Sequence, residues 1–175
     1  MLFLSASFTN KPILSLRTGG VIGAITKPII NPNNLKVEGF YSSDKFSKQS
    51  LILLSQEIRD VIDDGVIVND HEAMTPEEDL VRLQKILKIK FNIMGKKVVT
   101  KGRQSLGKIN DYAINSDNFY IQKMYVAQPL IKSLKGGQLS IDRSQIIEVT
   151  DKKIVVRDPI VYANDAQSIT SPVTA

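Results

Sequence analysis

The sequence predicts a mainly β protein, two tandem copies of one small β-barrel fold joined by one amphipathic helix. Three observations carry that expectation. Residues 20–41 return 84 residues later as 104–125, and residues 55–70 return 88 residues later as 143–158. Short apolar runs alternate with polar residues and are divided by Asn, Asp and Gly, the period-2 pattern of half-buried strands joined by tight turns. One stretch between the copies carries its apolar residues at helical spacing instead.

Eleven of the 38 aligned positions in the two blocks are identical: Gly23/Gly107, Ile25/Ile109, Ile30/Ile114, Asn31/Asn115, Asn34/Asn118, Tyr41/Tyr125, Ile58/Ile146, Val61/Val149, Asp63/Asp151, Val68/Val156 and Asp70/Asp158. The period is a domain length, far above that of a solenoid repeat. Units this small have thin cores, so the copies are expected to need one another. The expected organisation is a first repeat over 1–72, a connector helix over 73–92, a second repeat over 93–160 and a disordered tail over 161–175.

Taken in order, residues 1–8 are apolar, but they lack a basic leader, and Thr9-Asn-Lys-Pro12 interrupts them before a signal-peptide core is complete. They read as a first strand or a lead-in. Copy one then shows an Asn31-Pro-Asn-Asn34 turn and an Asp63-Asp-Gly65 turn leading into a strand over 66–69. The connector opens on Thr75-Pro-Glu-Glu78, an N-cap threonine with proline at the first helical position and a capping-box glutamate. Leu80, Leu83 and Leu87 follow as one stripe with Ile86 beside them, and Lys85 and Lys88 close the helix in accord with its dipole. Copy two reads as strands over 97–101, 106–115 and 119–126, with turns at 115–118, Gly136-Gly137 and 151–153 and a strand over 154–157.

The chain has no cysteine, which excludes disulfides, a thiol nucleophile and cysteine-ligated metal and suits a reducing cytoplasm. No apolar run approaches the ~18 residues of a membrane helix, so a soluble, cytoplasmic protein is expected. Charge divides unevenly. Residues 1–88 hold 10 Lys/Arg against 11 Asp/Glu, whereas residues 89–175 hold 13 against 7. Between Leu80 and Asn110 stand nine basic residues and no acidic one: Arg82, Lys85, Lys88, Lys90, Lys96, Lys97, Lys101, Arg103 and Lys108. Three readings stand for this stretch: lysines that only solvate a helix and a strand, attraction to nucleic acid such as ribosomal RNA, and an anionic membrane surface. Phe91 is the only aromatic residue within it, so base stacking is not supported.

Two further motifs bear on chemistry. Gly102-Arg-Gln-Ser-Leu-Gly107-Lys108 matches the first part of a P-loop, but Ile109 stands where Ser or Thr would bind Mg²⁺ and a strand pattern follows. It reads as a strand-joining turn. Asp60, Asp63, Asp64, Asp70, Glu72 and the sole histidine, His71, cluster in sequence. Their spacing fits no EF-hand loop, and they read as turn and surface residues, the alternative being a hard-cation site.

The opening Gly95-Lys-Lys-Val-Val-Thr-Lys-Gly-Arg-Gln-Ser-Leu-Gly-Lys-Ile-Asn-Asp-Tyr112 and the closing Ser144-Gln-Ile-Ile-Glu-Val-Thr-Asp-Lys-Lys-Ile-Val-Val156 resemble the PRC-barrel family. That family is named from the photosynthetic reaction-centre H subunit and includes the C-terminal domain of the ribosome maturation factor RimM. Copy one resembles it less closely, over Lys11-Pro-Ile-Leu-Ser15, Val21-Ile-Gly23 and 58–68. The resemblance covers about residues 10–70 and 93–158 and implies a docking barrel for protein partners without catalysis. The expected function is therefore a non-enzymatic adaptor with a protein partner, whose basic second repeat contacts a ribosomal or RNA-containing assembly. The alternatives are a peripheral scaffold on an anionic membrane and a small metal-dependent enzyme using Asp63, Asp64, Asp70 and His71. No catalytic residue, cofactor, metal or small-molecule substrate is expected.

Overall fold

Period-2 patterning becomes strand almost wherever it occurs. The computed structural model describes residues 1–128 and 138–157. In chain order the strands are β1 (Leu2–Leu4), β2 (Pro12–Ser15), β3 (Val21–Asn31), β4 (Lys36–Asp44), β5 (Ser50–Leu54), β6 (Ile58–Ile62), β7 (Gly65–Val68) and β8 (Met74–Thr75). Helix α1 (Gln84–Ile89) precedes β9 (Lys97–Thr100), β10 (Ser105–Asn115), β11 (Ile121–Ala127), β12 (Gln138–Asp142), β13 (Ile146–Val149) and β14 (Lys153–Val156). They form two seven-stranded sheets, one ordered β6-β7-β2-β3-β4-β5-β8 and the other β12-β11-β10-β9-β14-β13 with β1 added on β10.

The duplication is exact in topology. Strands β2 to β7 and β9 to β14 repeat one path, including the parallel pairs β2·β7 and β9·β14. The bulges repeat as well: β3 shifts register at Ile25/Lys27 and Ile29/Ile30, and β10 at the equivalent Ile109/Asp111 and Ala113/Ile114. Several identities now have causes. In the hairpin tips the N–H of Asn33 donates to Asn31 Oδ1 at 3.1 Å and the N–H of Lys36 to Asn34 Oδ1 at 2.9 Å. Asn115 and Asn118 repeat both bonds, at 2.8 and 3.1 Å. Gly23 and Gly107 lie where strands run too close for a side chain: a Cβ would stand 2.5 Å from the Ser43 carbonyl oxygen or 2.1 Å from that of Ala127.

Neither sheet closes on itself, which corrects the expectation of two β-barrels. The chain leaves β5 through a 3₁₀ turn, Ser55–Glu57, and leaves β12 through another, Arg143–Gln145. These corners swing β6 and β13 away from the strand that precedes them and back onto β7 and β14. One hydrophobic cluster then spans both sheets, with Ile13, Val37, Phe40 and Val66 from one copy and Val98, Ile114, Met124 and Ile154 from the other. The two open sheets thus share one core.

The copies meet at their hairpin tips. The Val37 N–H donates to the Phe119 carbonyl at 2.8 Å and the Ile121 N–H to the Leu35 carbonyl at 3.0 Å, flanking a bridge between Lys36 and Tyr120. Each residue is the counterpart of the other's partner, as at a two-fold axis. Leu35 and Phe119 hold φ of 53° and 60°, an unfavourable left-handed geometry for bulky residues, and both side chains are buried.

Two expectations about the connections need correction. Residues 2–4, expected within the first repeat, form β1 and pair with Ala113–Asn115 of the second sheet. Beyond them Phe8 stacks on Phe40 at 5.1 Å between rings, and Phe40 meets Phe119 edge-on at 6.3 Å, so the lead-in wedges between the copies. The connector is helical only over Gln84–Ile89, because Thr75 pairs with Ile52 in a strand instead of capping a helix, and Glu77–Asp79 form a separate 3₁₀ turn. The leucine stripe nonetheless does its work: Leu83 and Leu87 pack with Ile29 and Ile52 of the first sheet, with Leu80 and Ile86 beside them. The Gly136-Gly137 turn and the tail expected over 161–175 lie outside the described residues.

Gly107 has a φ of 137° as well as the close carbonyl, whereas a Cβ at Gly102 would meet only Thr100 Oγ1, at an ordinary contact distance of 3.7 Å. Gly107→Ala is expected to destabilise the protein by roughly 3 kcal/mol and Gly102→Ala by under about 0.5 kcal/mol, read from urea midpoints at constant m.

Candidate functional site

The nine basic residues of the 80–110 stretch do not share one surface element. Arg82, Lys85, Lys88 and Lys90 are exposed on or beside α1, the element that packs against the first sheet. Lys97 lies on β9 and Lys108 on β10, while Lys101 and Arg103 occupy the turn between those strands, all four exposed.

Lys96 stands apart. It is only half exposed; its ammonium donates to the Asp151 carbonyl and lies 4.7 Å from the centre of the Phe91 ring. Copy one repeats the device, with the Lys11 ammonium donating to the Asp63 carbonyl at 2.7 Å and lying 5.7 Å from the Phe3 ring. Lys96 is therefore a strut that holds the β13–β14 turn, which removes it from the expected anion-facing set.

A residue outside the stretch takes its place. Lys108 pairs with Lys97 across the antiparallel β10·β9 ladder, and Lys97 pairs with Lys153 across the parallel β9·β14 ladder. Paired residues share a sheet face, and Ile154 and Val156 point into the core, so three exposed lysines form one row across three adjacent strands. Like charges set directly opposite in a sheet are destabilising. The acidic side chains nearest in the ladder do not relieve this. Glu148 pairs opposite Val155 on β13, and Asp151 lies in the turn before Lys153; neither forms an ion pair among the described residues.

Copy one carries none of this charge. The aligned positions there are Ala24, Pro12 and Gly65, and Ala24 pairs with Pro12 as Lys108 pairs with Lys97. The core and turns are shared between copies while the outer face differs. Contiguity in sequence pointed to Lys97 and Lys108 but not to Lys153, which is far along the chain. The alternation of 153–156 puts Lys153 on the outer face, and only the parallel pairing puts it beside Lys97. Ammonium groups are donors without an acceptor function, so the row can bind anions.

The acidic cluster is dispersed by the fold. Asp63 and Asp64 sit in the β6–β7 turn, exposed; Asp60 turns onto the Val61 N–H; and Asp70 accepts from the Glu72 N–H and pairs with Arg17 at 3.6 Å. Among the described residues no three His, Asp or Glu side chains converge as a metal site would require. His71 instead bonds through Nε2 to Asp44, at 2.8 Å, with its ring against Phe46. Asp44, which sequence reasoning passed over, is the buried member. Burial works to raise its carboxyl, but hydrogen bonds from Ser47, from His71 and from the Phe46 and Ser47 N–H groups outweigh that and hold it well below the usual carboxylate range. The P-loop-like stretch runs into β10, so no helix N-terminus follows Gly107 to cradle a phosphate.

No protein-family model matches the chain, and no curated protein matches its sequence. Among the described residues no helix is long and apolar enough to cross a membrane.

Two measurements separate the roles described. Lys96→Met is expected to cost about 1–2 kcal/mol in urea denaturation, while Lys97→Met stays within about 0.5 kcal/mol of the parent or stabilises it by relieving repulsion. Asp44→Asn is expected to cost about 2 kcal/mol at pH 7. The folded Asp44 pKa lies below its unfolded value, so this contribution is complete above about pH 5 and fades as pH falls further; parent and variant melting temperatures should converge in acid.

Proposed function

We propose that the chain is a non-enzymatic docking protein built from two PRC-barrel-like repeats, in which the second repeat holds an anionic macromolecular partner on its outer face. The observation that carries this reading is the Lys108–Lys97–Lys153 row, set against Ala24, Pro12 and Gly65 in the equivalent places of copy one. Opposed like charges in a sheet lower stability, and the folding of this sheet does not need them, since the equivalent sheet forms without them. A surface that keeps a small destabilisation in one copy alone is explained by a partner that neutralises it.

The duplicated architecture supports the same reading. Both copies contribute to one core, which leaves each outer face free to differ. The glycine-bearing turns that precede β3 and β10 are among the sequence features in which the chain resembles the PRC-barrel family.

Retention on immobilised heparin tests the proposal. The parent protein is expected to bind at low salt and to elute markedly earlier as Lys97→Glu/Lys108→Glu. The charge-matched Arg82→Glu/Lys85→Glu, on the α1 side, is expected to elute close to the parent. Equal shifts for both double variants would show that net charge alone is acting and would overturn a docking face on the second repeat.

A further inference from the structure

We infer that the lysine row is a track for the phosphodiester backbone of single-stranded nucleic acid, bound without regard to sequence. This rests on the docking reading above and names its partner.

The arrangement is linear. Neighbouring strands are spaced about 4.8 Å apart, so the three lysine Cα positions follow one another at about that interval, perpendicular to the strands. A compact anion such as inorganic phosphate or a single headgroup calls for converging donors, usually including backbone N–H groups. Here β9, β10 and β14 each have a neighbour on both sides, so the N–H groups along the row belong to the ladders. The row offers a succession of separate positive charges, the complement of a chain that carries one negative charge per unit.

The same pairing bears on the other polyanions. An extended acidic peptide could not add to the sheet here, because every strand in the row is interior to it. A membrane surface would be served by large apolar groups beside the lysines. The ladder instead continues from Lys108 to Ala127 and then to Gln138, and the next outward residues on β9 and β14 are the half-buried Val99 and Val155.

The chemistry of the row also specifies how the strand would be held. Lysine acts on phosphate as a point charge, without the bidentate geometry by which arginine reads guanine. The ladder neighbours of the row, Ala127, Gln138, Val99 and Val155, include no aromatic ring, and the aromatic residue on that face of β11, Tyr125, is half-buried two residues before Ala127, so the row itself supplies no stacking platform. Backbone contact without base contact is sequence-independent and salt-dependent. Lys101 and Arg103, exposed in the β9–β10 turn, extend the positive potential beyond one end of β9.

Fluorescence anisotropy with labelled oligo(U) and oligo(dC) of about twelve nucleotides, a length in the range such sites cover, tests the inference across a salt series. The parent protein is expected to bind both with similar affinity, with log K falling against log salt at a slope of about −2 or steeper, as three phosphate contacts require. Lys97→Gln/Lys108→Gln/Lys153→Gln should weaken binding at least tenfold at low salt and bring the slope towards zero, with its melting temperature unchanged or raised. Arg82→Gln/Lys85→Gln/Lys88→Gln should leave slope and affinity near those of the parent. A triple row variant that keeps the parental slope would overturn the track. So would a parent protein that ignores both oligonucleotides yet binds phosphatidylserine vesicles or polyglutamate through the row, an outcome that leaves the docking reading standing. A parent protein that binds none of these probes would overturn both.

Discussion

The reciprocal contact at the two hairpin tips is the constraint on which the rest of the architecture depends. Two backbone hydrogen bonds, Val37 to Phe119 and Ile121 to Leu35, join equivalent residues in exchanged roles. They hold the copies so that the open inner faces of two sheets look at one another. The corners reinforce the contact: Ser55 donates to the Val37 carbonyl at 2.5 Å, and at the equivalent corner Arg143 donates to the Ile121 carbonyl at 3.4 Å. Arg143 also reaches the Asn34 carbonyl at 2.6 Å and lies 4.6 Å over the Tyr120 ring, which ties the second copy's corner to the first copy's tip. The left-handed geometry of Leu35 and Phe119 is the cost of turning those two side chains into the shared interior.

Once the copies face one another, their lead-in segments exchange. The segment before copy one, β1, joins the sheet of copy two at Ala113, and the segment before copy two, α1, covers the sheet of copy one at Ile29, the residue equivalent to Ala113. Each unit is thus completed by the chain that leads into the other. A unit this small has a thin core, and the exchange supplies further cover from within the same polypeptide. The result is one core under two divergent outer faces, which permits a row of repelling lysines on one of them without loss of the fold.

Much of the fold was legible because tight turns and buried strands demand particular residues. Asn31, Asn34, Asn115 and Asn118 announce their hairpins, since few other side chains can bond the backbone two residues on. Gly23 and Gly107 are legible only as a shared identity; the structure places Gly107 inside β10, not in the expected strand-joining turn, and assigns both glycines to a close backbone approach. The misreadings occurred where tertiary contacts override a local signal. Thr75-Pro-Glu-Glu78 has the composition of a helix start, yet an edge of β5 was available to Thr75 and Met74. Lys96 and Lys97 look alike in sequence, but Lys96, just before β9, reaches Phe91 and the Asp151 carbonyl, whereas Lys97, the first residue of β9, faces solvent.

What the sequence by itself determined is the repeat, the local turns and the side of each strand that is buried, because these follow from short-range geometry and from an alternation of period two. The tertiary structure alone decided that the sheets stay open, that the lead-in segments exchange, and that Lys153 stands beside Lys97. Those outcomes depend on which distant strands pair, and residues 56 positions apart carry no local mark of the register that will bring them together.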